Sequence, residues 1–340
     1  MPNHLTRRSA LKAAAVAVPT LLGAQDKAGM RRPVVGSGEY TFEVHHDWGE
    51  LPAQIRYGNT HGVVEDSQGR IYVHHTVHET SESSDSMVVF DGNGKFIKSW
   101  GRDLKGGAHG LHIQEEGGTE FLYLCDIQRS LVIKTTLDGE EVLTIGYPEQ
   151  SEQYKEKIPY IPTNLAVAPN GDIYIADGYG SSYVIQYNKD GEYIRTFGGL
   201  GRAAGQLNQP HGIWMDMRGP EPILTVADRR NYRLQQFTLD GKHRDYIPGL
   251  RYPCHFDTRG ELMLVPELEA RVTILDGDNR IVANLGQGPA NFREVRLLGR
   301  ENFVPGQFVA PHGACFDHDG NIFVAEWVEI GRVTKLRRVA

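Results

Sequence analysis

Cysteine is scarce. Cys125, Cys254 and Cys315 are the only three in 340 residues. None stands in a Cys-x-x-Cys spacing, which excludes a disulfide framework and a thiolate zinc site. Cys125 ends the strand-like run Phe121-Leu122-Tyr123-Leu124-Cys125, where a buried free thiol is expected. Long apolar runs are missing too: Ala13–Ala24 is uncharged but far short of the roughly 20 residues a spanning helix needs. There is no basic block, and 36 basic against 43 acidic residues give a net charge of −7, which argues against a nucleic-acid partner. Helical periodicity is nearly absent after the first thirty residues. Glycine is plentiful at 39 but has no three-residue period, so collagen is excluded and many tight turns are implied. With 40% hydrophobic residues there is material for a large core, and wholesale disorder is excluded.

What is present begins with a leader. Arg7-Arg8 precede the alanine-rich run, a pattern that reads as a twin-arginine export signal covering residues 1–30. It implies a periplasmic or secreted protein that is exported already folded and holds no membrane segment once the signal is removed. Residues 37–340 form the remaining unit.

That unit repeats. Pro162-Thr163-Asn164-Leu165-Ala166-Val167, a Pro-Asn-Gly turn, then Ile173-Tyr174-Ile175-Ala176-Asp177 is one opening. Thr60-His61-Gly62, Ala108-His109-Gly110, Pro210-His211-Gly212, Pro253-Cys254-His255 and Pro311-His312-Gly313 begin five more. Each copy holds runs of period-two alternation separated by Gly/Asn/Asp turns, the signature of antiparallel hairpins. Six such copies of roughly 40–50 residues predict an all-β, six-bladed β-propeller of four-stranded antiparallel blades. The sixth copy has only three strands, so Tyr40–Val44 is expected to supply its fourth and close the ring. Insertions are read at 147–160 and 289–306.

Inner strands of a propeller line its central channel, so equivalent positions form a ring. That ring is read as His61, His109, Asn164, His211, one of Tyr252, Cys254 or His255, and His312. A turn requirement explains the glycines but not four histidines, and converging imidazoles are ligands for a late divalent metal. His74, His75 and His78 add a second histidine-rich stretch, with His75 and His78 as further candidate ligands from a loop. The acids closing the second strands, Asp126, Asp177, Asp228, Glu267 and Glu326, are expected to tie to arginines such as Arg233, Arg271 and Arg332.

These repeats resemble the NHL family of six-bladed propellers. Blades two, three, four and six also resemble peptidyl-α-hydroxyglycine α-amidating lyase, the zinc enzyme that cleaves a carbinolamide C–N bond. The resemblance implies zinc on His109, His211 and His312, with Tyr179 of Asp177-Gly178-Tyr179 as the catalytic tyrosine. His61 is expected as a fourth ligand or a close neighbour. Two departures stand out. Thr76 occupies the position of the family's catalytic arginine, and Gly313 that of an aspartate tied to a structural calcium. Arg229 and Arg230, with Tyr232, are candidates for binding an anionic substrate.

The expected function is therefore a metal-dependent lyase, most simply with zinc and with structural calcium as a second candidate ion. It would act as a monomer on a small hydroxylated molecule by C–N or C–O cleavage. The alternatives are a non-catalytic propeller that binds a protein or glycan, and a hydrolase or lactonase on the same fold.

Overall fold

A computed structural model describes residues 24–25 and 31–339. The expected export signal lies almost wholly outside the described residues.

Six antiparallel sheets are arranged in a ring. The inner strands are Thr60–Glu65, Ala108–Glu116, Asn164–Val167, Pro210–Asp216, Asp257–Arg259 and Pro311–Phe316. In five blades the following three strands pair outward in sequence order, and in blade six the following two do. The six-bladed all-β expectation therefore holds. Blade five has the shortest inner strand, three residues, which explains why its repeat opening is the hardest to read.

Closure follows the expected route. The strand Tyr40–His45 pairs antiparallel with Arg332–Arg338, placing Val44 opposite Leu336 and Phe42 opposite Arg338. A further strand, Val34–Ser37, pairs on its outer side and gives this blade five strands. The sequence pattern does not signal it. Val35 packs with Phe42, Leu285 and Leu336 in the core between blades five and six.

The core lies between neighbouring blades rather than at the axis. Tyr123, Val132 and Ile145 of blade two pack on Leu165, Ile175 and Ile185 of blade three. Equivalent layers recur around the ring. Alternation along each strand places one apolar face toward each neighbour, so every blade is covered on both sides. The axis is left to polar residues.

The acids at the ends of the second strands brace this frame. Asp228 accepts from Arg233 at 2.7 Å, Glu267 from Arg271 at 2.8 Å, Glu326 from Arg332 at 2.5 Å and Asp126 from Arg129 at 2.6 Å. All four carboxylates are buried. Breaking one partner of such a pair would strand the other charge. Their role is structural, as the Asp–Arg reading anticipated; Asp177 departs from it, accepting from Tyr154 and the Ile161 and Ser181 amides rather than from an arginine.

Candidate metal centre

Local backbone geometry aims the histidines. In blade two, Leu124 pairs with Leu111 and Asp126 with Ala108, so His109 and Gly110 together face the single residue Cys125. The same irregularity falls between Pro210 and Ile213, between Pro311 and Gly313, and between Thr60 and Gly62. Each is a bulge on a His-Gly step, and bulges re-aim side chains. Blade three shows none on its inner strand and carries no histidine there. The glycines answer to crowding, not to a turn. A Cβ on Gly212 would lie 2.5 Å from the Cys254 carbonyl oxygen, and one on Gly110 would lie 2.7 Å from that of Thr163.

This geometry corrects one ring assignment. The residue matching the histidines in blade three is Thr163, whose carbonyl accepts from His109, and not Asn164. Its counterpart in blade five is Cys254, whose carbonyl accepts from His211. Asn164 and His255 occupy the glycine position of the repeat. There the Asn164 amide and the His255 ring meet across the channel at 2.7 Å.

His61, His109, His211 and His312 converge. Ring centroids are 4.8 Å apart for His61–His109 and His109–His211, 4.5 Å for His61–His312 and 4.7 Å for His211–His312. All four are buried, and burial depresses every one of their pKa values, that of His109 to about 3. The rings are therefore neutral at pH 7.

The proton positions follow from their partners. Nδ1 of His109, His211 and His312 donates to the carbonyls of Thr163, Cys254 and His61 at 2.7, 2.8 and 2.9 Å. A carbonyl only accepts, so each Nδ1 carries the proton and each Nε2 presents a lone pair. Those lone pairs lack protons to share. The Tyr179 hydroxyl lies 3.1 Å from Nε2 of both His109 and His211, yet has one proton for two acceptors. Nδ1 of His61 lies 3.4 Å from Nε2 of His312. Such a cluster of imidazole lone pairs fits a divalent cation.

Two groupings of ligands are possible. The ring nitrogens of His61, His109 and His312 lie within 4.8 Å of one another. The carbonyl anchors instead single out His109, His211 and His312. We favour the anchored set, because a fixed tautomer and orientation are what a ligand requires. The donor set does not fit calcium, which takes oxygen ligands. Nor can an acid stand at position 313, where a Cβ would lie 2.4 Å from the His61 carbonyl oxygen.

Tyr179 is held by its loop. The Asp177 carboxylate accepts from the Ile161 and Ser181 amides at 2.7 Å each and from the Tyr154 hydroxyl at 2.5 Å. A Cβ on Gly178 would strike the Pro210 carbonyl oxygen at 2.1 Å, so only glycine lets this loop approach blade four. Burial raises the Tyr179 pKa, with Arg229 pulling it back. The phenol is therefore protonated at neutral pH.

Arg229 is buried beside it. Its Nη2 lies 3.4 Å from the Tyr179 hydroxyl, its Nε 3.2 Å from Gln209 Oε1, and its guanidinium 4.9 Å from the Tyr252 ring centroid. Arg230 is exposed and shares Gln209. Gln209 escapes a functional reading of the sequence because it precedes the repeat phrase without resembling it, whereas Tyr252, read as one of three candidates for the blade-five ring position, stands instead beside Arg229.

The second histidine stretch does not join the cluster. His75 packs on Tyr57 and accepts from the Val77 amide, while His78 bonds Thr80 in its own loop. His74 is fully buried behind blade one's inner strand. Thr76 accepts from the Asn59 amide at 3.0 Å, so it takes a structural bond where the resemblance expects a guanidinium. Tyr232 is exposed and donates to Glu269.

No family model matches the chain. Among curated proteins it is 29% identical over 268 residues to peptidyl-α-hydroxyglycine α-amidating lyase 1 of Drosophila melanogaster, a match covering 71% of this chain and 46% of that protein. It is 30% identical over 252 residues to peptidyl-glycine α-amidating monooxygenase of Mus musculus, covering 71% of this chain and 25% of that protein. The chain thus spans less than half the length of these relatives. Among solved structures, a gluconolactonase from Xanthomonas campestris superposes with a TM-score of 0.61 at 13% identity, covering 95% of this chain and 99% of that one, which shows the shared fold. The chain is a six-bladed all-β propeller, similar in sequence to the amidating enzymes over about 70% of its length.

Proposed function

We propose that this protein is an exported, metal-dependent lyase that cleaves a C–N or C–O bond in a small hydroxylated molecule. One observation carries the reading. Three buried imidazoles are each locked by a backbone carbonyl, and two of them, His109 and His211, direct Nε2 lone pairs toward the hydroxyl of the half-buried Tyr179. A divalent ion, zinc for a nitrogen donor set, would be held by His109, His211 and His312 with His61 beside it, and would supply charge stabilisation to a developing oxyanion.

The protein's own groups account for the proton. In such a cleavage the substrate hydroxyl gives up its proton, a carbonyl forms, the C–N or C–O bond breaks, and the leaving atom takes a proton. Tyr179 is placed to relay it: its hydroxyl faces the cluster and is in reach of Arg229. The Arg229 guanidinium favours the phenolate while the relay is under way. Asp177 and Gly178 fix the tyrosine's position. Thr76 leaves the resemblance's arginine position without a cation, so the preferred substrate is expected to differ from peptidyl-α-hydroxyglycine.

The test is metal analysis of the purified protein, followed by assay of wild type and Tyr179→Phe on a panel of carbinolamides, hydroxy acids and lactones. Near-stoichiometric zinc with a loss of turnover of at least about 100-fold in the variant supports the proposal. Metal at full occupancy without turnover on any of these would favour a binding protein. Absence of metal from protein expressed with zinc would overturn the reading.

A further inference from the structure

Arg229, Arg230 and Arg293 line one pocket of about 160 Å³ at the mouth of the channel, together with Tyr179, His312 and Trp327. The three guanidiniums come from different places. Arg229 and Arg230 open the turn Arg229–Asn231 after blade four's second strand. Arg293 lies on the short helix Phe292–Val295, in the insertion between blades five and six. That insertion is pinned. Arg296 donates to Asn59 Oδ1 at 2.7 Å and to the Trp327 carbonyl at 3.0 Å, and its guanidinium stacks 3.4 Å from the Trp327 ring centroid.

None of the three has a carboxylate partner among the described residues. The contacts of Arg229 are an amide, a thiol, a phenol and an aromatic ring. Arg230 bonds only Gln209. Arg293 touches only the rings of Tyr252 and Phe292, at 5.5 and 4.9 Å. The nearest acids are otherwise engaged or turned outward. Asp228 is saturated by Arg233, Asn231 and Gln235. Glu269 accepts from Tyr232, and with Glu294 it borders the adjoining cleft. Of the three, Arg229 alone is buried, and the other buried arginines among the described residues, Arg271, Arg296 and Arg332, each face a carboxylate; Arg230 and Arg293 are exposed at the rim of the pocket. Three guanidiniums around one cavity with no carboxylate partner favour an anion between them.

We propose that this pocket binds a second anionic group of the substrate, a carboxylate or a phosphate, through Arg230 and Arg293. The substrate class is then an α-hydroxy compound carrying two acidic groups. One lies beside Arg229 and Tyr179, and the other reaches the insertion helix. Guanidinium forks suit oxygen-rich planar or tetrahedral anions, and Tyr252 and Trp327 give the pocket apolar walls. The inference rests on the proposed lyase site for the position of the hydroxyl, but its arginine half stands independently of the metal.

The test is calorimetric binding at fixed ionic strength, with lactate, malate and 3-phosphoglycerate as probes, to zinc-loaded and to EDTA-treated protein. In both forms malate or 3-phosphoglycerate should bind at least about tenfold tighter than lactate. A preference for malate over 3-phosphoglycerate, or the reverse, assigns the second group as carboxylate or phosphate. Arg293→Gln and Arg230→Gln should each bring the ratio toward one while leaving circular dichroism unchanged. Equal binding of all three probes, or a preference that survives in both variants, overturns the inference. Zinc that never binds, with the preference intact, would instead count against the lyase reading alone.

Discussion

A single imidazole differs from its neighbours here by where its other nitrogen points. His109, His211 and His312 each spend Nδ1 on a carbonyl of the next blade, whereas His61 turns Nδ1 toward His312. Alanine at any of the first three should therefore lower zinc affinity by at least about 100-fold, since even outer-shell changes cost 10–100-fold. His61→Ala should cost less and leave metal measurable by elemental analysis after dialysis. Equal losses in all four variants would place His61 among the full ligands. Arg229→Gln should leave zinc content unchanged and slow turnover, because its contact is with Tyr179 and not with a ring nitrogen. A variant that loses zinc would show that the guanidinium supports the cluster itself.

At the scale of the strand, the His-Gly bulge sets the site. Gly212→Ala places a Cβ 2.5 Å from the Cys254 carbonyl of the neighbouring blade, where no flexible side chain can yield. We expect it to cost about 1–3 kcal/mol in urea denaturation and to weaken zinc binding. Gly92→Ala is the control: its Cβ would come no nearer than 3.5 Å to any atom outside its chain neighbours. The closing strand offers a second check. Removing residues 1–30 should leave the melting temperature unchanged, whereas removing 1–48 deletes Tyr40–His45 and exposes the Arg332–Arg338 edge. A truncated protein lacking 1–48 that melts like wild type would mean that the ring closes without this strand. This strand and the six blades are legible in sequence because period-two alternation and turn residues recur at fixed spacing. The ring of histidines is legible for the same reason. Asn164 stands in for Thr163 in that reading because an asparagine resembles a ligand, and residue type cannot reveal a bulge that shifts register by one. Arg293 is invisible as a site residue, since an insertion has no repeat to align it with.

Across the whole molecule, the channel and the blade interfaces hold histidines that burial keeps neutral. The pKa of His46, His75 and His255 is lowered to about 3, and that of His74 and His112 to about 4, from an ordinary value near 6.5. Each binds a proton in the unfolded chain before it does so in the folded one. Their contribution is complete above pH 6.5 and is lost as pH falls from there toward 3. Asp257 works in the opposite sense: burial raises its pKa to about 7, so it favours the fold at lower pH. Counting only His46, His75 and His255 against Asp257 leaves between one and two net protons, or about 2 kcal/mol per pH unit between pH 6 and 5. The zinc-bound form should fall more steeply, because protons compete with the ion for three further imidazoles. Calcium chelation should have no such effect, since Gly313 leaves no room for the acid that a calcium site would need there. Urea denaturation of metal-free protein at pH 7.5, 6 and 5 measures this directly. A stability that stays flat across that range would mean that the buried histidines do not remain neutral in the folded state, and the neutral-ligand argument for the metal centre would fail with it.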